Sequence, residues 1–325
     1  MNKDYYVLSS GRLKRKENTL YFEDGNNNRR ALPIEQIDTL HVFGEVDLNT
    51  KFLSYISEYG IVVNFYNYYG YYTGSFYPRK KNVSGFLLVK QSEHYLKKDK
   101  RLYLAKCFVD SARHQIRRNL RNYNNVPEEI LDSIDRENID CADEIDVLMG
   151  TEGRIRNNYY KAFNYFLKEE FRMEKREKRP PVDPINALIS FGNSLMYTTV
   201  LGQIYSTQLD PTISYLHEPS SKRFSLSLDL AEIFKPLIID PLIFYVINNR
   251  IIDIDDFDTV DGICMLNEGG KRRFISEYEK KLEVTVRHRK LNRSVSYKSF
   301  IRIECYKLIK YFIGDELYKP LKAWW

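Results

Sequence analysis

Two kinds of hydrophobic pattern meet at YYTGSFYPRKK, residues 71–81. Before this stretch, apolar and polar residues alternate, as in residues 5–8, 19–22 and 39–42. Such alternation, interrupted by turn-forming residues, is typical of half-buried β-strands. After it, apolar residues recur near helical spacing, beginning with residues 88–123. We therefore predict an α+β fold, in which a small N-terminal β-sheet domain (1–80) precedes a larger all-α domain (86–325).

Local signals predict where several helices begin. A short helix is expected over residues 49–59, inside the strand-rich domain. A helix of the second domain is expected to begin near Thr151, which would place Glu152 at its start. Asp183 and Asp210 each stand directly before a proline. Because a capping carboxylate followed by proline suits the first helical turn, we expect a helix to start at both.

The overall composition indicates an ordered protein without membrane spans. The chain has 325 residues, of which 43% are apolar and 29% charged, a balance typical of globular proteins. No apolar run approaches the ~18 residues that cross a bilayer, and the opening segment lacks the apolar stretch of a signal peptide, so we expect a cytoplasmic protein. The four cysteines form no CxxC pair. This argues against a disulfide framework or a thiolate zinc site, and predicts buried thiols.

Positive charge is concentrated in two parts of the chain. The net charge is only +6, but residues 271–310 hold 13 Lys or Arg against four Glu, and residues 90–121 hold ten against three acids. Such clusters suit the phosphates of a nucleic acid, although a charge run is also common on a solvated helix face, and charge alone favours the latter. The candidate DNA contacts are Arg223, Lys271, Arg272, Arg287 and Arg293.

Acidic residues and one histidine form a candidate metal site in the helical domain. Asp229 and Glu232 are three residues apart, so they share one face of a helix. With Glu152 and His217 they would supply carboxylate and imidazole ligands suited to Mg²⁺ or Mn²⁺. Spacing alone does not decide this, since 44 acidic residues produce many chance pairs.

Several ordered motifs resemble one known family. They are Glu152-Gly153 followed by Tyr159-Tyr160, then RPPVDPINALISFG (179–192), Leu216-His217-Glu218, and SLSLDLAEIFKP (225–236). In this order they resemble the CRISPR-associated endonucleases and integrases of the adaptation stage, often called the Cas-one family. The resemblance extends to the closing Trp-Trp, and the C-terminal segment is most similar to type I systems, I-B in particular.

The resemblance implies the roles of individual residues. Glu152, His217 and Glu232 would hold Mg²⁺ or Mn²⁺ and be the catalytic residues. Asp229 and Lys222 would be auxiliary residues, although a plain helix carboxylate and a solvated loop lysine explain them equally well. Arg154, Ile155 and Arg156 replace small residues that often follow the Glu-Gly motif, which adds positive charge beside the site.

The resemblance also implies the function. The protein would be a metal-dependent DNA endonuclease and integrase that inserts new spacers into a CRISPR array by attack of a 3′-hydroxyl on a phosphodiester. It would form a homodimer through residues 1–80, bind double-stranded DNA and assemble with a small ferredoxin-like adaptation protein. Two alternatives stay open: a general metal-dependent nuclease acting on branched DNA, and a catalytically silent DNA-binding scaffold.

Overall fold

The chain forms two compact units, Met1–Lys81 and Asn82–Trp325. The computed structural model describes residues 3–79, 82–123, 125–177, 180–219 and 224–325. The first unit is built mainly of strands and the second mainly of helices. The predicted α+β class is therefore confirmed.

Within the described residues, the N-terminal unit contains two four-stranded sheets. Its elements are β1 (Lys3–Val7), β2 (Gly11–Lys16), β3 (Thr19–Asp24), β4 (Arg29–Leu32), β5 (Ile37–Val42), β6 (Val46–Asp47), α1 (Thr50–Glu58), β7 (Val62–Tyr66) and β8 (Tyr72–Phe76). One sheet has the order β1-β5-β7-β8, with β8 antiparallel to three parallel strands. The other has the order β4-β3-β2-β6, and only its β2-β6 pair is parallel.

Strand alternation builds the core of this unit. Leu13, Leu20 and Leu40 are fully buried, because alternate residues of a strand point to the same face of its sheet. Phe52 of α1 joins them in one hydrophobic cluster. The helix begins where the Asn49 side chain accepts a hydrogen bond from the Phe52 amide at 3.0 Å, as an N-cap residue does.

In its described residues, the second unit contains helices and two short hairpins. Its helices are α2 (Gly85–Leu96), α3 (Lys98–Arg121), α4 (Glu128–Asp135), α5 (Ile145–Ala162), α6 (Pro184–Tyr205), α7 (Ser225–Phe234), α8 (Asp240–Asn248), α9 (Glu268–Glu283) and α10 (Tyr297–Phe312). The hairpins pair β9 (Phe257–Val260) with β10 (Ile263–Leu266), and β11 (Thr285–Arg287) with β12 (Ser294–Ser296). A π-helical segment, Lys235–Ile239, joins α7 to α8. Sequence analysis did not predict the hairpins, because strands of three or four residues are too short to show a period.

Sequence analysis predicted helix starts at Thr151, Asp183 and Asp210 in this unit, and only the one at Asp183 is confirmed. Asp183 does cap α6, since its side chain accepts the Asn186 amide at 2.8 Å. Asp210 does not start a helix: its carboxylate accepts the Thr212 amide at 2.9 Å and closes a turn instead. Glu152 does not open a helix either. It lies in the middle of α5, which begins earlier at Ile145.

The four cysteine thiols differ in exposure. Cys264 and Cys305 are buried as expected, whereas Cys107 is only partly buried and Cys141 is exposed. Among the described residues, no helix combines the length and apolar character that a membrane crossing requires.

Helix α6 runs through the core of the second unit and packs against α7, α10, β10 and the π-helical segment. Gly192 allows its close approach to that segment: a Cβ atom there would lie 2.6 Å from Cγ2 of Ile239. The segment begins three residues after Glu232. The packing of α6 therefore helps to fix the helix end that carries this acid.

We predict that Gly192→Ala destabilises the protein by about 1–3 kcal/mol, because the new methyl group overpacks a tight helix contact. The measurement is chemical denaturation followed by circular dichroism. Gly202→Ala is the matched control on the same helix, since no atom lies within 4 Å of its added Cβ. The control should be neutral or stabilising by roughly 0.5–1 kcal/mol. Equal stability of the two variants would contradict the proposed close contact.

Candidate active site

A buried carboxylate orients His217. Asp229 on α7 has no exposed surface. Its two oxygens accept the backbone amides of Tyr215, Leu216 and His217, at 2.6, 3.0 and 3.0 Å, and lie 2.8 Å from Nδ1 of the His217 ring. Since the carboxylate only accepts, Nδ1 carries the proton and Nε2 is left with a free electron pair in the neutral ring. Asp229 is therefore placed to position the histidine, with both its own oxygens already used.

The environment of His217 favours its charged form. Burial alone lowers the pKa of the imidazole, but the hydrogen bond and charge of Asp229 and the charge of Glu232 raise it on balance. Glu232 lies one helical turn from Asp229 along α7 and is likewise buried. The helix thus carries both the residue that orients the imidazole and an acid that acts on it electrostatically.

Arg156 links the other two predicted acids. From α5, its Nε lies 3.1 Å from Oε1 of Glu152, and its Nη2 lies 2.5 Å from Oε2 of Glu232. The Glu152 contact spans four residues of one helix, which places both side chains on the same face. The structure therefore brings Glu152 and Glu232 to the two sides of one guanidinium.

Lys235 contacts Glu232 at its other oxygen. The Nζ atom lies 2.5 Å from Oε1 of Glu232, so both oxygens of this carboxylate have a cationic partner. Burial alone raises the pKa of Glu232, but the charges of Lys235 and Arg156 outweigh it and lower the pKa far below its usual range. Glu232 is consequently ionised despite its burial.

Asp240 is a further acid of this region that sequence analysis missed. It is 1% exposed, and no hydrogen bond reaches its Oδ2 atom. Burial raises its pKa to about 6, against the lowering effects of the Arg156 charge and a hydrogen bond from Tyr159. The only sequence signal was an acid directly before Pro241, which indicates a helix start rather than a charged centre.

The predicted ligands fit a hard divalent cation by their chemistry. Two carboxylates and an imidazole with a free Nε2 in its neutral form are donors that Mg²⁺ or Mn²⁺ accepts. In the part of the chain that the structure describes, however, no three His, Cys, Asp or Glu side chains are grouped to hold a metal ion. Arg156 lies between Glu152 and Glu232, and its guanidinium donates to one oxygen of each acid, Oε1 of Glu152 and Oε2 of Glu232.

The candidate DNA contacts lie in different settings. Lys222 and Arg223 fall outside the described residues. On α9, Lys271 is partly buried and Arg272 pairs with Glu268 at 2.9 Å. Arg287 and Arg293 are exposed on the β11-β12 hairpin. The four candidates that the structure describes thus lie on a helix and a hairpin.

We predict that Asp229→Asn disturbs His217 and the loop before it. An amide cannot accept all four donors, so the loss should be roughly 3 kcal/mol in the free energy of unfolding. The His217 ring should also shift toward the tautomer with its proton on Nε2, because the new amide can donate to Nδ1. Histidine ¹⁵N NMR and denaturant titration measure the two effects. Asp210→Asn, in the same connecting segment, is the control, and an unchanged His217 tautomer in Asp229→Asn would contradict the assignment.

Comparison with known proteins gives the family. A family profile described as "CRISPR associated protein Cas1" matches residues 5–280. The chain is 62% identical over 330 residues to the CRISPR-associated endonuclease Cas1 of Clostridium perfringens, with 100% of both chains covered. It is 42% identical to a solved Cas1 protein from Thermotoga maritima, with a TM-score of 0.89 and coverage of 97% of this chain and 98% of that one.

Two more distant structures share the fold. A casposase bound to integration product has a TM-score of 0.85 at 18% identity and covers 99% of this chain and 94% of its own. A chain of a Cas6-RT-Cas1–Cas2 complex has a TM-score of 0.84 at 18% identity, with 99% of this chain and 36% of that chain covered. The family profile and the full-length relative together show that this chain belongs to the CRISPR-associated Cas1 family.

Proposed function

We propose that this chain is a divalent-metal-dependent DNA endonuclease and integrase that inserts new spacers into a CRISPR array. The observation that carries the proposal is the convergence of Glu152 and Glu232 on one buried cation, beside a histidine that Asp229 orients. Residues that only hold a loop in place do not require an imidazole with a fixed tautomer. A phosphoryl-transfer site does, because it needs ligands of defined charge and direction.

The comparisons support the reaction class. The Clostridium perfringens relative is named a CRISPR-associated endonuclease. The casposase with the same fold was solved with an integration product. Nuclease action and integration differ only in the attacking group, since water replaces the 3′-hydroxyl of a DNA end. One centre therefore accounts for both activities.

Glu152, Glu232 and His217 would hold the metal, Mg²⁺ or Mn²⁺, through carboxylate oxygens and Nε2. Bound there, the ion would activate the attacking hydroxyl and offset charge on the phosphodiester. During joining, the 3′-hydroxyl of the incoming DNA loses its proton to solvent as its oxygen forms a bond to phosphorus, and the departing 3′-oxygen takes up a proton as its bond to phosphorus breaks. The Asp229 carboxylate accepts from Nδ1 of His217, so that in the neutral ring Nε2 would be free to bind the ion.

The assembly follows from the same family relation. We propose a homodimer formed through the N-terminal unit, joined by a small ferredoxin-like adaptation protein and by double-stranded DNA. The exposed Tyr59 and Tyr68 of that unit support an interface, because tyrosine is enriched where proteins meet. The solved Cas6-RT-Cas1–Cas2 complex supports a second adaptation protein as partner.

We predict that His217→Ala abolishes joining of a short duplex to a plasmid that carries a repeat array. The loss should be at least about 100-fold, since a metal ligand is removed, while DNA binding persists. Joining is measured with the partner protein in Mn²⁺, Mg²⁺ or EDTA. Glu218→Gln is the control in the adjacent position, where the exposed acid pairs with Arg101 outside the centre.

Each alternative predicts a different result from the same assay. Wild-type protein that binds DNA but neither joins nor cleaves it under any metal would be a silent scaffold. Cleavage of branched DNA without joining, in the presence of the partner, would indicate a general nuclease. Metal-dependent joining that disappears in His217→Ala contradicts both.

The β11-β12 hairpin supplies the clearest candidate phosphate contacts. Arg287, Arg289, Lys290 and Arg293 are all exposed on it. Residues 285–296 contain no acid, so acids of the hairpin itself do not neutralise these charges. On α9, by contrast, Arg272 is paired with Glu268. The hairpin should therefore contribute more to DNA binding than the exposed face of α9.

We predict that replacing Arg287 and Arg293 together by Ala weakens binding of duplexes of any sequence and flattens its salt dependence. The slope of log K against log salt should fall by about 0.9 for each phosphate that the two arginines neutralise. Fluorescence anisotropy over a salt series measures it. Arg172→Ala is the control, because that arginine is exposed and paired with Glu169. An unchanged slope in the double variant would place the DNA elsewhere.

A further inference from the structure

Arg156 is a buried cation at the centre of the candidate site. Its side chain is only 11% exposed. The guanidinium donates to Oε1 of Glu152 at 3.1 Å and to Oε2 of Glu232 at 2.5 Å, and it also reaches the Glu232 carbonyl at 3.4 Å. Its donors therefore serve both acids at once, from a position between them.

Lys235 completes this arrangement. Its ammonium group contacts Oε1 of Glu232, the oxygen that Arg156 does not use. Arg156 and Lys235 thus face Glu152 and Glu232, with the charge of Asp240 close enough to act on Arg156. Burying a carboxylate without counter-charges is costly, so these two cations offset the cost of burying Glu232 inside the helical unit.

A divalent ion at this centre would draw on carboxylate oxygens that already have cationic partners. A metal bound to Glu232 must take an oxygen that now accepts from Arg156 or Lys235, and a metal bridging Glu152 and Glu232 must enter the place of the guanidinium. Like charges at such short range repel strongly in a poorly solvated site. The cations and the metal are therefore competitors for one set of ligands.

We propose that Arg156, assisted by Lys235, is the resident counter-cation of the metal-free site, and that a divalent metal binds only as the guanidinium leaves the carboxylate oxygens. This inference rests on the metal-dependent function proposed above. It makes Arg156 a residue that weakens metal binding while it stabilises the folded protein without metal.

The test compares wild type with Arg156→Met, which keeps a long side chain and removes its charge. Mn²⁺ binding is measured by isothermal titration calorimetry, and thermal unfolding is followed in EDTA and in Mn²⁺. We expect Mn²⁺ to bind the variant on the order of tenfold more tightly than wild type. We also expect the variant to melt below wild type in EDTA and to gain more stability than wild type from Mn²⁺.

Arg154→Met is the matched control, two residues away on the same helix. That arginine is 57% exposed and pairs with Glu137, so its loss should leave the Mn²⁺ affinity unchanged. Lys235→Met is a second test variant should Arg156→Met not fold. It should tighten Mn²⁺ binding in the same direction, since it frees the other oxygen of Glu232.

The outcomes separate this inference from the proposed function. Suppose that the charge-removing variants bind Mn²⁺ no more tightly than wild type, while wild type still joins DNA only in the presence of metal. This result would overturn the proposed competition between the cations and the metal, and it would leave the proposed integrase function intact. Joining by wild type that persists in EDTA would overturn the metal-dependent function, and the inference with it. Tighter binding in Arg156→Met but not in Arg154→Met supports the competition.

Discussion

One buried carboxylate organises the candidate site. Asp229 accepts three consecutive backbone amides and lies within hydrogen-bond distance of the ring of His217, so it fixes the path of the loop and the direction of the imidazole together. A carboxylate inside a helical core is tolerated only when such donors replace the water that formerly solvated it. The loop can therefore be irregular and still be well defined. Because Asp229 and Glu232 belong to one helix, the position of the histidine is tied directly to that of the acid beside it.

The electrostatics of the centre depend on the burial around it. Arg156, Glu232 and Asp240 are each about a tenth exposed or less, so their charges act on one another with little screening by solvent. The same charges on a surface would contribute little. The apolar helices α6 and α7 supply this environment by packing against each other and against the π-helical segment. The core thus does more than stabilise the fold. By excluding solvent, it strengthens the salt bridges that Arg156 makes with the acids of the candidate site.

Strand and helix patterns predicted the fold class, and the family resemblance pointed to the acids, but neither indicated the partners of those acids. Strand alternation before residue 77 and helical spacing after residue 85 are long signals, and both were confirmed. The short hairpins and the turn at Asp210 were not recoverable, because they depend on a few residues whose local preferences allow several conformations. The pairing of Arg156 with Glu232 spans 76 residues of sequence, and only the tertiary fold brings them together. The sequence indicated Arg156 as added positive charge, but not as the partner of both acids.

The π-helical segment Lys235–Ile239 has a consequence for how the acids of the centre are arranged. Asp240 follows Glu232 by eight residues, and in a regular helix turning about 100° per residue the two side chains would differ by about 80° in direction. A π turn absorbs one residue, which reduces this difference to about 20°. Asp240 therefore lies on the same helix face as Glu232, although a spacing of eight residues in a regular α-helix would turn the two side chains apart. By the same count, a chain one residue shorter in this segment could form a regular helix and still direct Asp240 toward the guanidinium, whereas a chain two residues shorter would turn that acid away.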